Sequence, residues 1–118
     1  MLRFRTLVVI AGLAALTLSA SSGAAVPKLV GTVGPGFTIT LKQAGKTVRT
    51  LKAGTYSITV SDKANIHNFH LRGPGLSKEI TNIGFVGTKT VVVKLSKGTY
   101  TYVCDPHLTV MKGSFKVI

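Results

Sequence analysis

Five side chains in the second half of the sequence can bind a soft metal ion. Cys104, His107 and Met111 follow one another in a Cys-x2-His-x3-Met pattern, and His67 and His70 lie upstream. These five supply every thiol, thioether and imidazole between residues 26 and 118. Because such donors favour copper and zinc over harder cations, the spacing predicts a metal site built around one loop.

Each of these side chains also has a plain structural alternative. A lone buried Cys is commonly inert, and Met often fills space in a core. His67 could be a hydrogen-bonded core histidine, and His70 is the rival imidazole ligand. We favour Cys104, His107 and Met111 as ligands because they fall together in one short segment, with His67 as the fourth.

The mixture of donors distinguishes copper from zinc. Two imidazoles and a thiolate in a plane, with a weak axial thioether, form a copper site for electron transfer. Zinc accepts Cys and His but rarely Met. A geometry that suits both oxidation states of copper lets an electron move with little rearrangement. The sequence therefore predicts one copper ion, held by His67, Cys104, His107 and Met111.

Short strands are expected to position these ligands. From residue 28 onward, β-branched and aromatic runs are bounded by Gly, Pro, Asp, Asn and Lys, and no apolar stripe has helical spacing. The pattern predicts an all-β fold, a Greek-key antiparallel β-sandwich or small barrel of about eight strands. The segment from Ser77 to Gly87 fits either a helical turn or an edge strand. The predicted strands are Lys28–Val33, Phe37–Leu41, Thr47–Leu51, Tyr56–Val60, Ile66–Leu71, Thr88–Leu95, Thr99–Cys104 and Gly113–Val117.

Alternation along two of these strands brings the thiol and one imidazole to the core. Cys104 shares a face with Tyr102, and His67 lies on the core side of its own strand. Asn68 and His70 are then expected on the outer face of that strand. This parity favours His67 over His70 as the upstream ligand.

Three stretches around the ligands carry a family resemblance. They are Gly-Thr-Tyr-Thr-Tyr-Val-Cys-Asp-Pro-His at residues 98–107, Met-Lys-Gly-Ser-Phe at 111–115 and Ile-His-Asn-Phe at 66–69. Together they resemble the plastocyanin and azurin family of cupredoxins over most of residues 26–118. The resemblance implies a cupredoxin-like fold, one type 1 copper ion and the same four ligands.

The resemblance also implies cofactor-binding roles for Asn68 and Pro106. Asn68 matches an asparagine that joins the two ligand loops and donates its backbone N–H to the sulfur. Pro106 and Leu108 flank His107, which in the family projects through an apolar patch where electrons enter and leave. Residues 73–75 are a candidate neighbour of that patch.

The first 25 residues predict an export signal. Arg3 and Arg5 precede an uncharged run of 12 residues, Leu7 to Leu18, and small residues follow to Ala25. This order is typical of a cleaved secretory signal, and the run is shorter than the roughly 20 residues of a membrane span. An uncleaved anchor is the alternative. Cleavage would leave one domain, residues 26–118, in the periplasm, on the cell surface or in the medium.

Basic side chains dominate the composition. The chain has 15 Lys and Arg against 3 acidic residues, a formal charge of +12. The lysines are spread over strands and turns without interleaved aromatic residues, which argues against nucleic-acid binding. We expect redox partner proteins with an acidic docking surface, and the same charge favours peripheral association with an anionic membrane or cell surface.

These observations predict an exported type 1 copper protein that acts as a monomer and carries one electron between redox partners. We expect no catalytic residues and no enzyme activity, because only His70 would remain to build a second copper centre. The first alternative is an exported protein that uses the same ligands for copper storage, delivery or stress protection. The second is a metal-free adhesion or scaffold domain.

Overall fold

A computed structural model describes residues 12, 14–15 and 25–118 of the chain. The predicted export signal falls on residues 1–25, nearly all of which lie outside the described residues. Across the described part of the chain, no helix has the length and apolar character needed to cross a membrane.

The described residues form two five-stranded sheets that pack face to face. The strand order is β3-β2-β1-β5-β8 in the first sheet and β4-β10-β9-β6-β7 in the second. A 3-10 turn, Asp105–His107, lies between β9 and β10. In chain order the strands are β1 (Lys28–Val33), β2 (Ile39–Gln43), β3 (Lys46–Thr47), β4 (Thr50–Leu51), β5 (Gly54–Asp62), β6 (Phe69–Gly73), β7 (Leu76–Thr81), β8 (Gly87–Leu95), β9 (Gly98–Val103) and β10 (Lys112–Val117).

Alternating side chains from the two sheets fill the core. Along β5 every second side chain points inward, and the last of these is the carboxylate of Asp62. On the opposite sheet the rings of Tyr100 and Phe115 stack at 5.4 Å, and those of Phe69 and Tyr102 at 5.8 Å. These buried aromatic rings fix the spacing of β6, β9 and β10, the strands that lead to and from the predicted ligands.

The predicted all-β sandwich is confirmed, with a refinement in strand direction. Six of the eight strand pairings in the described region are antiparallel, whereas β1 pairs with β5, and β4 with β10, in parallel. Parallel neighbours require a crossover rather than a hairpin. Here the chain provides it by passing between the sheets from β3 to β4 and back to β5.

The number of strands differs from the prediction at two places. The predicted strand Thr47–Leu51 is divided into β3 and β4, which belong to different sheets. The segment after Ser77 begins with an edge strand, β7, which pairs with β6. Of the two predicted alternatives, a helical turn or an edge strand, the edge strand is therefore correct.

Two of the predicted strands begin later than expected, so that Phe37 and His67 lie in turns. Phe37 precedes β2, in a turn closed by a bond from the Gly34 N–H to the carbonyl of Thr38 (3.0 Å). His67 precedes β6, in a turn where its N–H faces the carbonyl of Ala64 (3.4 Å). Local hydrogen bonding thus ends the extended backbone that the residue types favour.

Replacing Gly73 by Ala should destabilise the sandwich. A Cβ atom there would lie 2.1 Å from the ring of Tyr100, which is fully buried and stacked on Phe115. We expect the free energy of unfolding to fall by about 1–3 kcal/mol, as for other overpacked cores. Urea unfolding followed by tyrosine fluorescence measures it. Gly36→Ala is the control, because nothing lies within 4 Å of a Cβ at that position, and equal stability of the two variants would contradict the prediction.

Candidate metal centre

The loop from Cys104 to Met111 is folded back on itself by its own backbone. The Cys104 N–H donates to the carbonyl of Met111 (3.0 Å), and the Met111 N–H donates to that of His107 (2.8 Å). The His107 N–H in turn donates to the carbonyl of Cys104 (3.0 Å). Each of the three predicted ligands from this loop is therefore tied through its main chain to another.

His67 reaches the same place from the turn before β6. Its side chain is fully buried, and Gly34 in the β1–β2 turn lies against the ring, where a Cβ would be 2.9 Å from His67 Cδ2. Gly34 has φ +75°, a conformation that favours glycine. The absence of a side chain at Gly34 lets this turn pack closely over the imidazole.

The three donor atoms form a nearly equilateral triangle. Nδ1 of His67 lies 3.2 Å from Nδ1 of His107, and the Cys104 Sγ lies 3.6 Å and 3.4 Å from these two atoms. The point equidistant from all three lies about 2.0 Å from each, which matches a usual metal–nitrogen bond and is about 0.3 Å shorter than a usual metal–sulfur bond. A soft cation therefore fits among these atoms with only a small adjustment at the sulfur.

The surroundings of His67 argue against the alternative of a hydrogen-bonded core histidine. Its Nε2 is buried and has no hydrogen-bond partner among the described residues. Its Nδ1 faces only the thiol and the other imidazole, within the same described region. The ring is thus held in place to present one nitrogen to Cys104 and His107, as a ligand would be.

The other predicted site residues occupy different positions around this triangle. The side chain of Met111 is fully buried at the end of the loop, where its backbone adjoins Cys104 and His107. Pro106 is exposed beside His107 in the 3-10 turn. His70 is excluded from the triangle because its two ring nitrogens face Asp105 and Ser77, each at 2.8 Å.

Asn68 connects the two ligand segments. Its Oδ1 accepts the N–H of Asp105 and its Nδ2 donates to Asp105 Oδ2, both at 2.7 Å. Its backbone also acts to lower the pKa of the Cys104 thiol. Strand alternation placed Asn68 on the outer face, but this was wrong: the side chain is 1% exposed, since the residue lies in the turn before β6 and not in the strand.

The prediction that residues 73–75 adjoin the apolar patch around His107 is also wrong. The pairing of β6 with β9 matches His70 with Val103 and Arg72 with Thr101, so β6 runs away from Cys104. At its far end the Tyr100 hydroxyl donates to the carbonyl of Pro74 (3.2 Å). These residues therefore lie at the other end of β9.

Two residues beside the centre were missed from the sequence. The ring of Phe37 meets both imidazoles edge-on, with centroids 4.9 Å from His107 and 5.7 Å from His67. Asp105 follows the thiol and accepts hydrogen bonds from Asn68. An aromatic residue after Gly-Pro-Gly and an acid inside the ligand motif were the available signals, but neither has a role until the turns are placed.

Burial controls the ionisation of the thiol. It raises the pKa of Cys104, and backbone hydrogen bonds from Asn68 and His107 oppose this effect only in part. The carboxylates of Asp105 and Asp62 raise the pKa further. A cation bound beside the sulfur would stabilise the thiolate in this environment.

The fold and the triangle of donors define a class of protein. A β-sandwich that brings a thiolate and two imidazoles together at one end of its strands is a cupredoxin, and His67, Cys104 and His107 are positioned to bind one copper ion. Residues 37–118 match the sequence model of the copper binding proteins, plastocyanin/azurin family. The chain belongs to this family, which confirms the resemblance seen in its motifs.

A named relative agrees with this assignment. Amicyanin-alpha of Methylorubrum extorquens is 36% identical over 69 residues, which cover 57% of this chain and 57% of that protein. The match thus spans little more than half of the length of that relative.

Solved structures support the same fold. Rusticyanin from Thiobacillus ferrooxidans superposes with a TM-score of 0.54 at 26% identity, covering 77% of this chain and 76% of that one. Auracyanin A, a blue copper protein from Chloroflexus aurantiacus, gives a TM-score of 0.56 at 18% identity over 80% of this chain and all of its own. At that identity auracyanin A bears on the fold alone.

The Cys104 thiol of the copper-free protein should react slowly with iodoacetamide. Its pKa lies above the ordinary value of 9.0 because of burial, and the thiolate is the reactive form. At about pH 8 the folded thiol is then less ionised than that of the unfolded chain, and we expect labelling to be at least about tenfold slower than in concentrated guanidinium. Mass spectrometry measures both rates. Equal labelling rates for the folded and the unfolded protein at every pH would contradict a raised pKa of Cys104.

Proposed function

We propose that this protein is an exported type 1 copper protein that carries one electron at a time between redox partners. The observation that supports this most directly is the convergence of His67, Cys104 and His107 to within 3.6 Å of one another. Met111 would complete the set of residues that hold the ion, its thioether binding more weakly than the other three donors. The mature carrier would consist of residues 26–118, after the signal is removed. It would act in the periplasm, at the cell surface or in the medium.

The protein holds its ligands in place before and after electron transfer. Copper, when bound, supplies the change between its two oxidation states. Backbone bonds within the loop fix Cys104 and His107, whereas Gly34 and the turn before β6 fix His67. Because the ligands are anchored by separate elements, loss or gain of one charge should move them little, and the reorganisation that slows electron transfer stays small.

The electron is proposed to enter and leave through His107. This residue is half-buried, and its ring meets Phe37, which is 58% exposed. Pro106 and Leu108, on either side of His107 in the chain, are exposed as well. We call Phe37, Pro106 and Leu108 the apolar patch. A partner protein that docks on this patch would exclude water from the contact and would be separated from the ligands by only one side chain.

The charge of the surface favours an acidic partner. Of the three acidic residues, Asp62 is buried and Asp105 pairs with Arg72, so Glu79 is the only exposed and unpaired one in residues 25–118. Residues 26–118 hold 13 basic side chains, whose field should attract an acidic docking surface and an anionic membrane or cell surface alike. A monomer with the apolar patch exposed is the form that meets such a partner.

The visible spectrum tests the copper site. Adding Cu(II) to the purified protein should produce an intense absorption band near about 600 nm from thiolate-to-copper charge transfer, and reduction should bleach it reversibly. His67→Ala should abolish the band. His70→Ala, which removes the rival imidazole, should retain the band, because its ring nitrogens face Asp105 and Ser77 and not the triangle of donors.

Other outcomes of this experiment exclude the proposal. A protein that binds copper only in the colourless cuprous state would be a storage or delivery protein. One that is indifferent to copper, in spectrum and in stability, would be an adhesion or scaffold domain.

Phe37→Ser tests the route through His107. Removing the ring withdraws an aromatic contact of about 0.5–1.5 kcal/mol from the surface where a partner is proposed to dock. We expect electron self-exchange, measured by NMR line broadening, to slow by about two- to tenfold while the absorption band is retained. Val92→Ser is the control, since Val92 is 67% exposed but lies on β8. Equal effects of the two changes would argue against the apolar patch as the docking site.

A further inference from the structure

The carboxylate of Asp105 is held by side chains from β6 and from the turn before it. Asn68 Nδ2 donates to Oδ2, and Nδ1 of His70 lies 2.8 Å from the same oxygen. Arg72 Nη2 donates to Oδ1. His70 and Arg72 are two residues apart on the outer face of β6, so these contacts connect the outer surface of the second sheet to the loop that carries Cys104 and His107.

The network fixes the hydrogen-bonding state of His70. Asn68 Nδ2 donates to the Asp105 carboxylate at 2.7 Å and the Arg72 guanidinium pairs with it, a set of donors that suits an ionised carboxylate. An ionised carboxylate only accepts hydrogen bonds. His70 Nδ1 must therefore donate to Asp105, while Nε2 is engaged by the Ser77 hydroxyl at 2.8 Å.

Asp105 places a negative charge directly after the thiolate ligand. An uncompensated carboxylate at this position would favour the oxidised metal, which carries one more positive charge than the reduced metal. Its side chain is 31% exposed and that of Arg72 is 45% exposed, so solvent screens this pair only in part. The bond from Arg72 therefore affects both the position of the loop and the charge that the metal experiences.

We propose that Arg72 and His70 are positioning residues of the metal centre, which hold Asp105 so that it anchors the ligand loop to β6. Arg72 in addition offsets the charge of Asp105 and keeps the reduction potential higher than the carboxylate alone would set it. This inference rests on the proposed copper function, and it gives a role to the imidazole that is not a ligand.

The experiment compares Arg72→Met with Arg49→Met. Both remove one positive charge from an exposed arginine, but Arg49 lies near the far end of β10, where its carbonyl accepts the N–H of Lys116. At a fixed electrode potential, Arg72→Met should raise the ratio of oxidised to reduced protein by roughly threefold or more, against less than about twofold for Arg49→Met, because salt screens charges beyond about 10 Å. Spectroelectrochemistry measures this ratio. Arg72→Lys restores the charge and should return the ratio most of the way to that of the wild type.

A second measurement needs no copper. In the copper-free protein, amide hydrogen exchange of residues 104–111 should be several-fold faster in Arg72→Met, and in His70→Ala, than in Arg49→Met. A merely surface ion pair would leave both the exchange rates and the potential of Arg72→Met equal to those of Arg49→Met, and that result would overturn the inference. Absence of the absorption band in the wild type would instead overturn the copper function, while the exchange measurement would still test the anchoring.

Discussion

The site depends on the closure of the loop between β9 and β10 by backbone hydrogen bonds, three of which link the predicted ligands to one another. These bonds run from Cys104 to Met111, from Met111 to His107 and from His107 to Cys104. Without them, the eight residues from Cys104 to Met111 would have many conformations of similar energy. The closed loop has a single conformation, and this conformation directs a sulfur and an imidazole nitrogen to the same point. The registry of β9 and β10, set by the stacked rings of the core, determines where that point lies.

Much of this site follows from the sequence because its ligands have few competitors. One thiol and three imidazoles in residues 26–118 leave little choice of donors, and a spacing of three residues from Cys104 to His107 is enough for one tight turn to join them. The sandwich could also be predicted, since β-branched residues alternate with polar ones along most strands. Where alternation is broken by a turn, as at Asn68, the same reasoning puts a side chain on the wrong face.

The remaining features depend on contacts between distant parts of the chain. The edge-on packing of Phe37 against His67 and His107 requires the β1–β2 turn to lie over the end of β9, and no local pattern specifies this. The division of residues 47–51 between two sheets is set by which edges have room for a short strand. Asp105 is likewise an ordinary turn residue until β6 brings Arg72 and His70 beside it. Such tertiary juxtapositions lie beyond what residue type and spacing determine.

The placement of the acidic residues explains how so basic a chain can carry a site of this kind. Asp62 ends an inward-facing row on β5, and both it and Asp105 oppose ionisation of the buried thiol. That effect is unfavourable for the copper-free protein, yet it becomes useful once a cation is bound, because nearby negative charge then stabilises the cation. Arg72 partly neutralises the charge of Asp105. Among the described residues, Asp62 has no such basic partner, and one of its buried oxygens has no hydrogen-bond partner. The net charge of the sequence is positive and gives no sign of negative charge beside the thiol. The effect of these two carboxylates on the site therefore arises only when the chain folds.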